Sequence, residues 1–317
     1  MSRFLLRRLA LGLLTLLLVS VVVFAATQAL PGDAARAILG RDATPQRLAA
    51  LRAQLHLNQS VFSQYGHWLS GMLTGNLGTS AASQQSVSSL LSGRIGNSAF
   101  LVFVSALVAI PLSIVLGVWM AMRRDKLADH VGSTVSLVLA ALPEFVIGIL
   151  LVVVFATNVF HSLPAVSLIP PGDHAWQHLN DVILPAATLV LAVTPYISRI
   201  MRGSMIEVLE SDYVTMARLK GLPERTVIWR HAVPNAIVPA IQVSALQLAW
   251  MAGGVVVVEF VFSFPGIGAA LVDAVGNRDV PVVQALTMII AAVYVVLNVG
   301  ADMATILLTP RLRTAGR

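Results

Sequence analysis

The sequence predicts an all-α integral membrane domain with six transmembrane helices, and three properties of the chain support this. Of its 317 residues, 57% are hydrophobic and only 11% are charged. Soluble domains carry about 25% charged residues, so this chain has too few charges to cover a surface that faces water. Its apolar residues gather into six stretches, each long enough to cross about 30 Å of hydrocarbon as a helix. These observations exclude an ordinary cytosolic enzyme.

One transmembrane domain is expected over residues 1–317. Its predicted spans lie at about 9–30, 98–121, 131–156, 182–198, 236–258 and 282–306. The first span follows Arg3, Arg7 and Arg8 and is longer than the roughly 7–15 apolar residues of a signal peptide, which indicates an uncleaved anchor. The fourth span is the shortest, and its Pro185 and Pro195 favour a kink.

The distribution of basic residues predicts that both termini are cytoplasmic. With the N-terminus inside, 15 of the 21 Lys and Arg residues fall in cytoplasmic segments, as the positive-inside rule requires. The net charge of +6 therefore indicates orientation in a membrane, and not nucleic-acid binding. The chain has no cysteine, which excludes a disulfide or a thiolate metal site.

Two outer segments are polar enough to face water. Residues 31–97 are predicted to contain a helix, because Thr44 can cap it, Pro45 suits its first turn, and leucines recur at helical spacing from Leu48. This segment is either a lid over the outer surface or a docking surface for an external partner. The second segment holds Asp173, His174, His178 and Asp181. A helix would place both histidines on one face, but the spacing fixes no third ligand, so we expect no metal site.

The long cytoplasmic segment 199–235 is predicted to form an elbow of two short helices. The first covers 207–220 and ends at Gly221, since glycine readily adopts the left-handed conformation that ends helices. The second covers 223–233, because Pro223 suits a first helical turn. On pattern alone, an amphipathic helix lying on the headgroups remains an alternative.

Charged and polar residues inside apolar spans indicate function or helix–helix bonding. Glu144 follows Pro143 and, in a straight third span, would lie roughly 20 Å from the cytoplasmic end. Its carboxylate is a candidate ligand for an ammonium group of the substrate, or else a structural hydrogen-bond acceptor. Asn298 and Asp302 are expected to bond neighbouring helices. No phosphate-binding loop, H-E-x-x-H or G-x-S-x-G motif is present, so the chain has no visible means of hydrolysing ATP itself.

The cytoplasmic segment resembles the EAA loop of ABC importer permeases. It reads D-Y-V-T-M-A-R-L-K-G-L at 212–222 and W-R-H-A-V-P-N-A at 229–236. Thr215 stands where the general motif has glutamate and His231 where it has isoleucine, departures that are typical of the peptide/nickel subfamily. The likeness continues in R-R-L at 7–9, L-P-G-D at 30–33, Q-Y-G at 64–66, L-G-T-S at 77–80, E-F-V-F-S-F-P-G-I-G at 259–268, P-V-V-Q at 281–284 and P-R at 310–311.

The resemblance implies a type I ABC importer permease fold and a set of site residues. The residues expected to couple the chain to an ATPase are Asp212, Tyr213, Thr215, Ala217, Arg218, Lys220, Gly221, Leu222, Pro223, Arg230, His231, Pro234 and Asn235. An outer gate is expected at Glu259, Phe262, Pro265, Gly266 and Gly268, and the translocation path at Pro143 and Glu144. No catalytic residue and no metal ligand is expected.

The resemblance also implies the assembly. The long outer segment makes the chain similar to the B-type permease of dipeptide and oligopeptide importers. Such a permease pairs with a C-type permease, two cytoplasmic ATPases that hold ATP and Mg, and an external binding protein, in the bacterial inner membrane. The chain itself is expected to bind no cofactor and no nucleic acid. Nickel, glutathione or opine import are alternatives, and an ion-coupled secondary transporter or a six-span channel is less favoured.

Overall fold

A computed structural model describes residues 2–29, 44–54 and 58–308. Within these ranges the regular structure is helical, apart from an isolated antiparallel bridge between Thr79 and Ser86. The helices are α1 (Ser2–Gln28), α2 (Pro45–Gln54), α3 (Val61–Thr74), α4 (Val87–Met122), α5 (Leu127–Ala141), α6 (Glu144–Val152), α7 (Leu179–Leu209), α8 (Asp212–Leu219), α9 (Val233–Val261), α10 (Ile267–Gly276) and α11 (Val280–Leu308). The motif residues at 30–33 and 310–311, and Leu55, lie outside the described residues.

The helices confirm an all-α membrane fold. Five helices in the described ranges are long and apolar enough to cross a membrane, and the bent pair α5–α6 brings the number to six. These helices fall in the order that the apolar stretches predict. Several helices extend beyond the predicted spans; for example, α4 begins at Val87, where Ser86 caps it, and α7 continues to Leu209.

The predicted third span is wrong in one respect, because residues 131–156 do not form one straight helix. Helix α5 ends at Ala141, α6 begins at Glu144, and the two are bent by 106°. Leu142 adopts an extended conformation before Pro143, as the residue before a proline prefers. The depth estimated for Glu144 from a straight helix therefore does not hold. After α6 the chain continues as a π-helical turn, Val153–Asn158.

Helix α7, predicted from the shortest apolar stretch, is the centre of the bundle. It is the most buried of the candidate spans and continues through Pro185 and Pro195 without interruption. Helix α4 crosses it closely at Gly117, where a β-carbon would lie 2.6 Å from Met201 Cβ. A helix shielded by its neighbours needs less apolar surface than one facing lipid, which explains its weak hydropathy signal.

The first and last spans pack against each other. Near the cytoplasmic end Arg8 Nε lies 3.1 Å from Asp302 Oδ2, and at the outer end Gln284 donates to Thr27 over 2.7 Å. The helix–helix role expected of Asp302 is thus confirmed. Asn298 instead donates to the Tyr294 carbonyl oxygen of its own helix over 2.8 Å.

The outer loops are fixed by a buried carboxylate that precedes α11. Asp279 accepts a hydrogen bond from the Ser80 hydroxyl and others from the backbone N–H groups of Ala81, at 3.0 Å, and Ala82, at 3.3 Å. Both Asp279 and Ser80 are buried. The L-G-T-S segment is thereby fastened to the start of the last span.

Candidate functional site

The elbow predicted in segment 199–235 forms, with boundaries that differ from those predicted. The predicted first helix, 207–220, is interrupted at Glu210 and Ser211, because Ser211 is extended (φ −72°, ψ 150°), so that α7 ends and α8 begins there. The predicted second helix, 223–233, begins after Pro223 as expected. It is not separate, however, since the turns Glu224–Thr226 and Val227–Ala232 run without a break into α9. The elbow therefore joins α8 directly to a transmembrane helix.

Gly221 is the corner of this elbow. Its φ of +78° lies in the left-handed region, as predicted, and its N–H donates to the Arg218 carbonyl oxygen over 2.9 Å. Across the corner Arg218 makes a two-pronged ion pair with Glu224, at 2.8 Å and 3.1 Å. This hydrogen bonding raises the pKa of the Arg218 guanidinium. A planar fork that meets a carboxylate twice fixes orientation as well as distance.

The inner side of α8 is seated on the bundle by a small apolar cluster. Val214, Ala217 and Val227 are buried together, against the partly buried Val208 and Leu209 at the end of α7. This cluster contains residues from α8, from the end of α7 and from the turn Val227–Ala232, which continues into α9. It therefore joins the elbow to both spans.

The opposite side of α8 is exposed and partly apolar. Tyr213, Met216 and Leu219 recur at every third residue and are 46%, 54% and 77% exposed. Thr215, Lys220, Leu222 and Arg230 are also exposed, as are Pro234 and Asn235. Beyond the corner, an open groove of about 410 Å³ is lined by Arg225, Thr226, Trp229 and Arg230. A group of exposed apolar side chains is typical of a surface that contacts another protein or a membrane.

Ion pairs connect the elbow region to the bent third span. Arg202 on α7 holds Asp129 on α5 through two contacts of 2.6 Å, and Asp129 is buried. The exposed Arg124 pairs with Glu210 at the end of α7. In the sequence these arginines indicated only the orientation of the chain in the membrane. Their carboxylate partners could not be identified, because they lie 73 and 86 positions away.

Glu144 begins α6, directly after the bend. Its side chain is partly buried, and no hydrogen bond or ion pair joins it to another residue of the described ranges. At the bend, the Ala140 carbonyl oxygen, freed by the break in the helix, accepts from Tyr196 of α7 at 3.4 Å. A carboxylate in the first turn of a helix is favoured by the helix dipole. Among the residues that the structure describes, Glu144 therefore has no structural hydrogen-bond partner for its side chain.

The predicted outer-gate residues form a buried cluster around Glu259. Its carboxylate accepts from the N–H groups of Gly268, at 2.6 Å, and Ala269, at 3.3 Å, at the start of α10, and from the Ser98 hydroxyl of α4 at 2.5 Å. Glu259 itself has no exposed surface. Buried carboxylates require such partners, because an unpaired one is costly.

The glycines of this motif leave room for the carboxylate. A β-carbon at Gly266 would lie 2.1 Å from Glu259 Oε1, and one at Gly268 would lie 2.3 Å from Val256 Cα. The backbone oxygen of Pro265 accepts from Asn97, which also accepts from the Ala175 N–H at 2.9 Å. Asn97 and Ser98 therefore tie α4 to two outer loops, and sequence reasoning missed both because no motif contains them.

Phe262 links this cluster to the bent span. Its side chain is 1% exposed, and a β-carbon at Gly148 of α6 would lie 3.2 Å from the Phe262 ring. Gly148 lies about one turn beyond Glu144. The predicted outer gate and the predicted translocation path are therefore neighbours in the fold.

The two outer histidines do not share a helix face. Only Ala175–Gln177 is helical there, as a single 3₁₀ turn, and the His174 ring stacks on Trp176 with centroids 4.1 Å apart. His178 Nε2 lies 2.8 Å from Asp173 Oδ2. Among the residues that the structure describes, no group of three or more His, Asp or Glu side chains could hold a metal ion.

Comparison with known proteins covers nearly the whole chain. Residues 113–314 match the family described as "Binding-protein-dependent transport system inner membrane component", and residues 1–105 match the N-terminal membrane component of the same systems. The chain is 36% identical to the glutathione transport system permease protein GsiC of Salmonella choleraesuis, over 99% of each chain. It is also 36% identical to a probable peptide ABC transporter permease of Sinorhizobium fredii, over 99% of this chain and 100% of that one. The Escherichia coli K12 GsiC protein is 35% identical over 99% of each chain.

Proposed function

Because the chain belongs to the family of inner membrane components of binding-protein-dependent transport systems, we propose that it is the permease subunit through which an ABC importer moves short peptides into the cell. It is a multi-pass bacterial inner-membrane protein of the peptide/nickel permease type. The substrate class is supported by the names of its relatives, which transport glutathione or peptides. Glutathione is itself a tripeptide, so both names describe one chemical class.

The observation that carries the coupling proposal is the elbow at Gly221. We propose that its exposed Tyr213, Met216 and Leu219 pack into a groove of a cytoplasmic ATPase. Its buried side would then move with α7 and α9. The buried cluster of Val214, Ala217 and Val227 would hold the elbow on the ends of both spans, so that displacement of α8 reaches them. ATP and Mg would be bound by the ATPase subunits, and this chain would bind neither.

The full assembly we propose has four further parts. A second, C-type permease would complete the pathway across the membrane, two ATPases would bind the cytoplasmic faces, and an external binding protein would deliver the peptide. Nickel gains no support from the Asp173–His178 pair, since two adjacent ligands leave a divalent cation underligated.

Within this pathway, Glu144 is our candidate for the residue that binds the ammonium group of the substrate. It lies at a bend beside the central helix, at the start of a helix, with no bonded partner in the described ranges. Glu144→Gln preserves size and hydrogen bonding but removes the charge. We expect a several-fold lower rate of dipeptide uptake in proteoliposomes, with normal ATPase binding. Unchanged uptake would contradict a role for the charge.

The function itself is tested by co-expressing the chain with the permease and ATPase genes that neighbour it. Proteoliposomes loaded with ATP should accumulate labelled glutathione or a labelled dipeptide when the binding protein is added. They should not do so with a non-hydrolysable ATP analogue. Uptake that persists without ATP but follows a proton gradient would establish a secondary transporter, and uptake of Ni²⁺ in preference to peptides would establish the nickel alternative.

A further inference from the structure

Helix α3 is not a free outer element, because one of its sides is packed on the outer third of α1. Gln28 donates to Gln64 over 2.9 Å, and Phe24 contacts the rings of Tyr65 and Trp68, with centroids 5.4 Å and 5.6 Å apart. At its other end Met72 packs on the cluster that contains Val282 and Leu286 of α11. The helix therefore crosses the outer ends of the first and last spans.

These contacts place α3 at a definite depth. Gln28 is the last residue of α1, and Phe24 lies one turn, about 6 Å, further into the membrane. The Tyr65 hydroxyl reaches deeper still, to Ser20 at 2.7 Å. Amphipathic interfacial helices bury their apolar side about 5–10 Å into the boundary between headgroups and acyl chains, and the distance along α1 from Gln28 to Phe24 is of this size.

The sequence of α3 divides its remaining surface into two stripes. Phe62, Leu69 and Leu73 follow one another at helical spacing, and Phe62 and Leu73 are 87% and 81% exposed. Ser63, His67, Ser70 and Thr74 form a polar stripe beside them. The helix contains no Asp, Glu, Lys or Arg. Exposed apolar side chains on one stripe and polar side chains on the next make the helix amphipathic, which is the pattern of a helix that lies at a membrane interface.

We propose that α3 is an interfacial membrane helix whose apolar stripe, Phe62, Leu69 and Leu73, inserts into the acyl-chain region of the outer leaflet. The polar stripe then faces water and headgroups. In this arrangement the bilayer holds α3 against α1 and α11. The outer segment is then anchored to the membrane surface at α3. A lid that projected freely into water would have no such anchor.

The test exploits the absence of native cysteines. Single cysteines at Phe62, Leu69 and Leu73, with Ser70→Cys as the control on the polar stripe, are labelled with a nitroxide. The full-length chain, with the subunits that co-purify with it, is reconstituted in nanodiscs of phosphatidylethanolamine and phosphatidylglycerol. Collisions of each label with oxygen, which dissolves in acyl chains, are compared with collisions with a water-soluble nickel chelate.

We expect the oxygen-to-nickel ratio at positions 62, 69 and 73 to exceed that at position 70 severalfold. Equal ratios at all four positions would show that the stripe faces water and would overturn the proposal. Low accessibility to both reagents at 62 and 73 would also overturn it, since another protein subunit would then cover the stripe. The measurement needs no transport activity, so its result is independent of the substrate and of the coupling proposal.

Discussion

At the scale of single residues, Gly221 tests the elbow through backbone conformation alone. Apart from the adjacent residues of the chain, no atom of the described residues lies within 4 Å of the position that a β-carbon would occupy there, but φ is +78°. Gly221→Val therefore meets no steric clash with neighbours and costs about 1–2 kcal/mol of backbone strain, which a shift of α8 would relieve. We expect normal membrane insertion and a large loss of ATP-driven uptake.

Gly221→Asn is the matched control, because asparagine tolerates the left-handed region. It should retain most of the uptake, measured at equal membrane abundance. If Gly221→Val transports at the wild-type rate, the corner does not carry coupling.

Gly266 tests a different constraint, the space reserved for Glu259. Gly266→Ala would place a β-carbon 2.1 Å from Glu259 Oε1, so either the carboxylate or the start of α10 must move. Overpacking of this kind costs about 1–3 kcal/mol, and we expect a lower thermal unfolding midpoint in detergent.

The same substitution at Gly203 is its control. A β-carbon there meets no atom within 4 Å, and alanine in a helix interior is favoured over glycine by roughly 0.5–1 kcal/mol. Gly203→Ala should leave the midpoint unchanged or raise it. Equal midpoints for both variants would mean that the cluster around Glu259 is not tightly packed.

Features that depend on the backbone preference of a single residue could be predicted from the sequence. The left-handed Gly221 and the helix start after Pro223 follow from backbone preferences of those residues, and both are confirmed. The Ser98 partner of Glu259 could not be predicted, since it is 161 positions away. Only the tertiary fold brings such residues together.

At the scale of helices, the Asp129–Arg202 ion pair joins α5 to α7. Arg202→Gln leaves a buried carboxylate without its counter-charge, and we expect a loss of about 3 kcal/mol in stability, the lower end of the cost of breaking a buried pair, because the Arg202 side chain is 27% exposed. Uptake should fall as well, since α5 would no longer follow α7. Thermal unfolding and proteoliposome uptake measure the two effects.

Arg124→Gln provides the comparison, because it removes the same charge from the exposed pair with Glu210. Solvated pairs contribute little, so stability should hardly change. Combining Arg202→Gln with Asp129→Asn should recover part of the loss, since neither charge is then buried alone. A double variant as unstable as Arg202→Gln alone would argue against the pair.

Prolines show why the element boundaries were harder to predict than the spans. Pro143 breaks its span with a bend of 106°, whereas Pro185 and Pro195 lie within an uninterrupted α7. Each proline removes one backbone donor, so the sequence signal is similar in the three cases. The contacts around each helix decide the outcome, and α7 is enclosed by its neighbours along most of its length.

At the scale of the whole molecule, the orientation in the membrane is the outstanding prediction. Asp125→Cys, Asp173→Cys and Arg225→Cys replace exposed residues in a chain without native thiols. If both termini are cytoplasmic, an impermeant maleimide should label only position 173 in intact cells, and all three positions after permeabilisation. Labelling at 225 in intact cells would reverse the orientation.

The contact between α1 and α11 bears on how the protein is made. Thr27 and Gln284 are 257 positions apart, so at roughly 5–20 residues per second the first helix leaves the ribosome about 10–50 s before its partner is synthesised. During that interval α1 must reside in the bilayer without α11, which its almost wholly apolar surface permits. The last helix then closes the bundle and neutralises Arg8 with Asp302. A nascent chain that stops before α11 would lack the Asp302 carboxylate with which Arg8 pairs, so this ion pair forms only once the last span has been added.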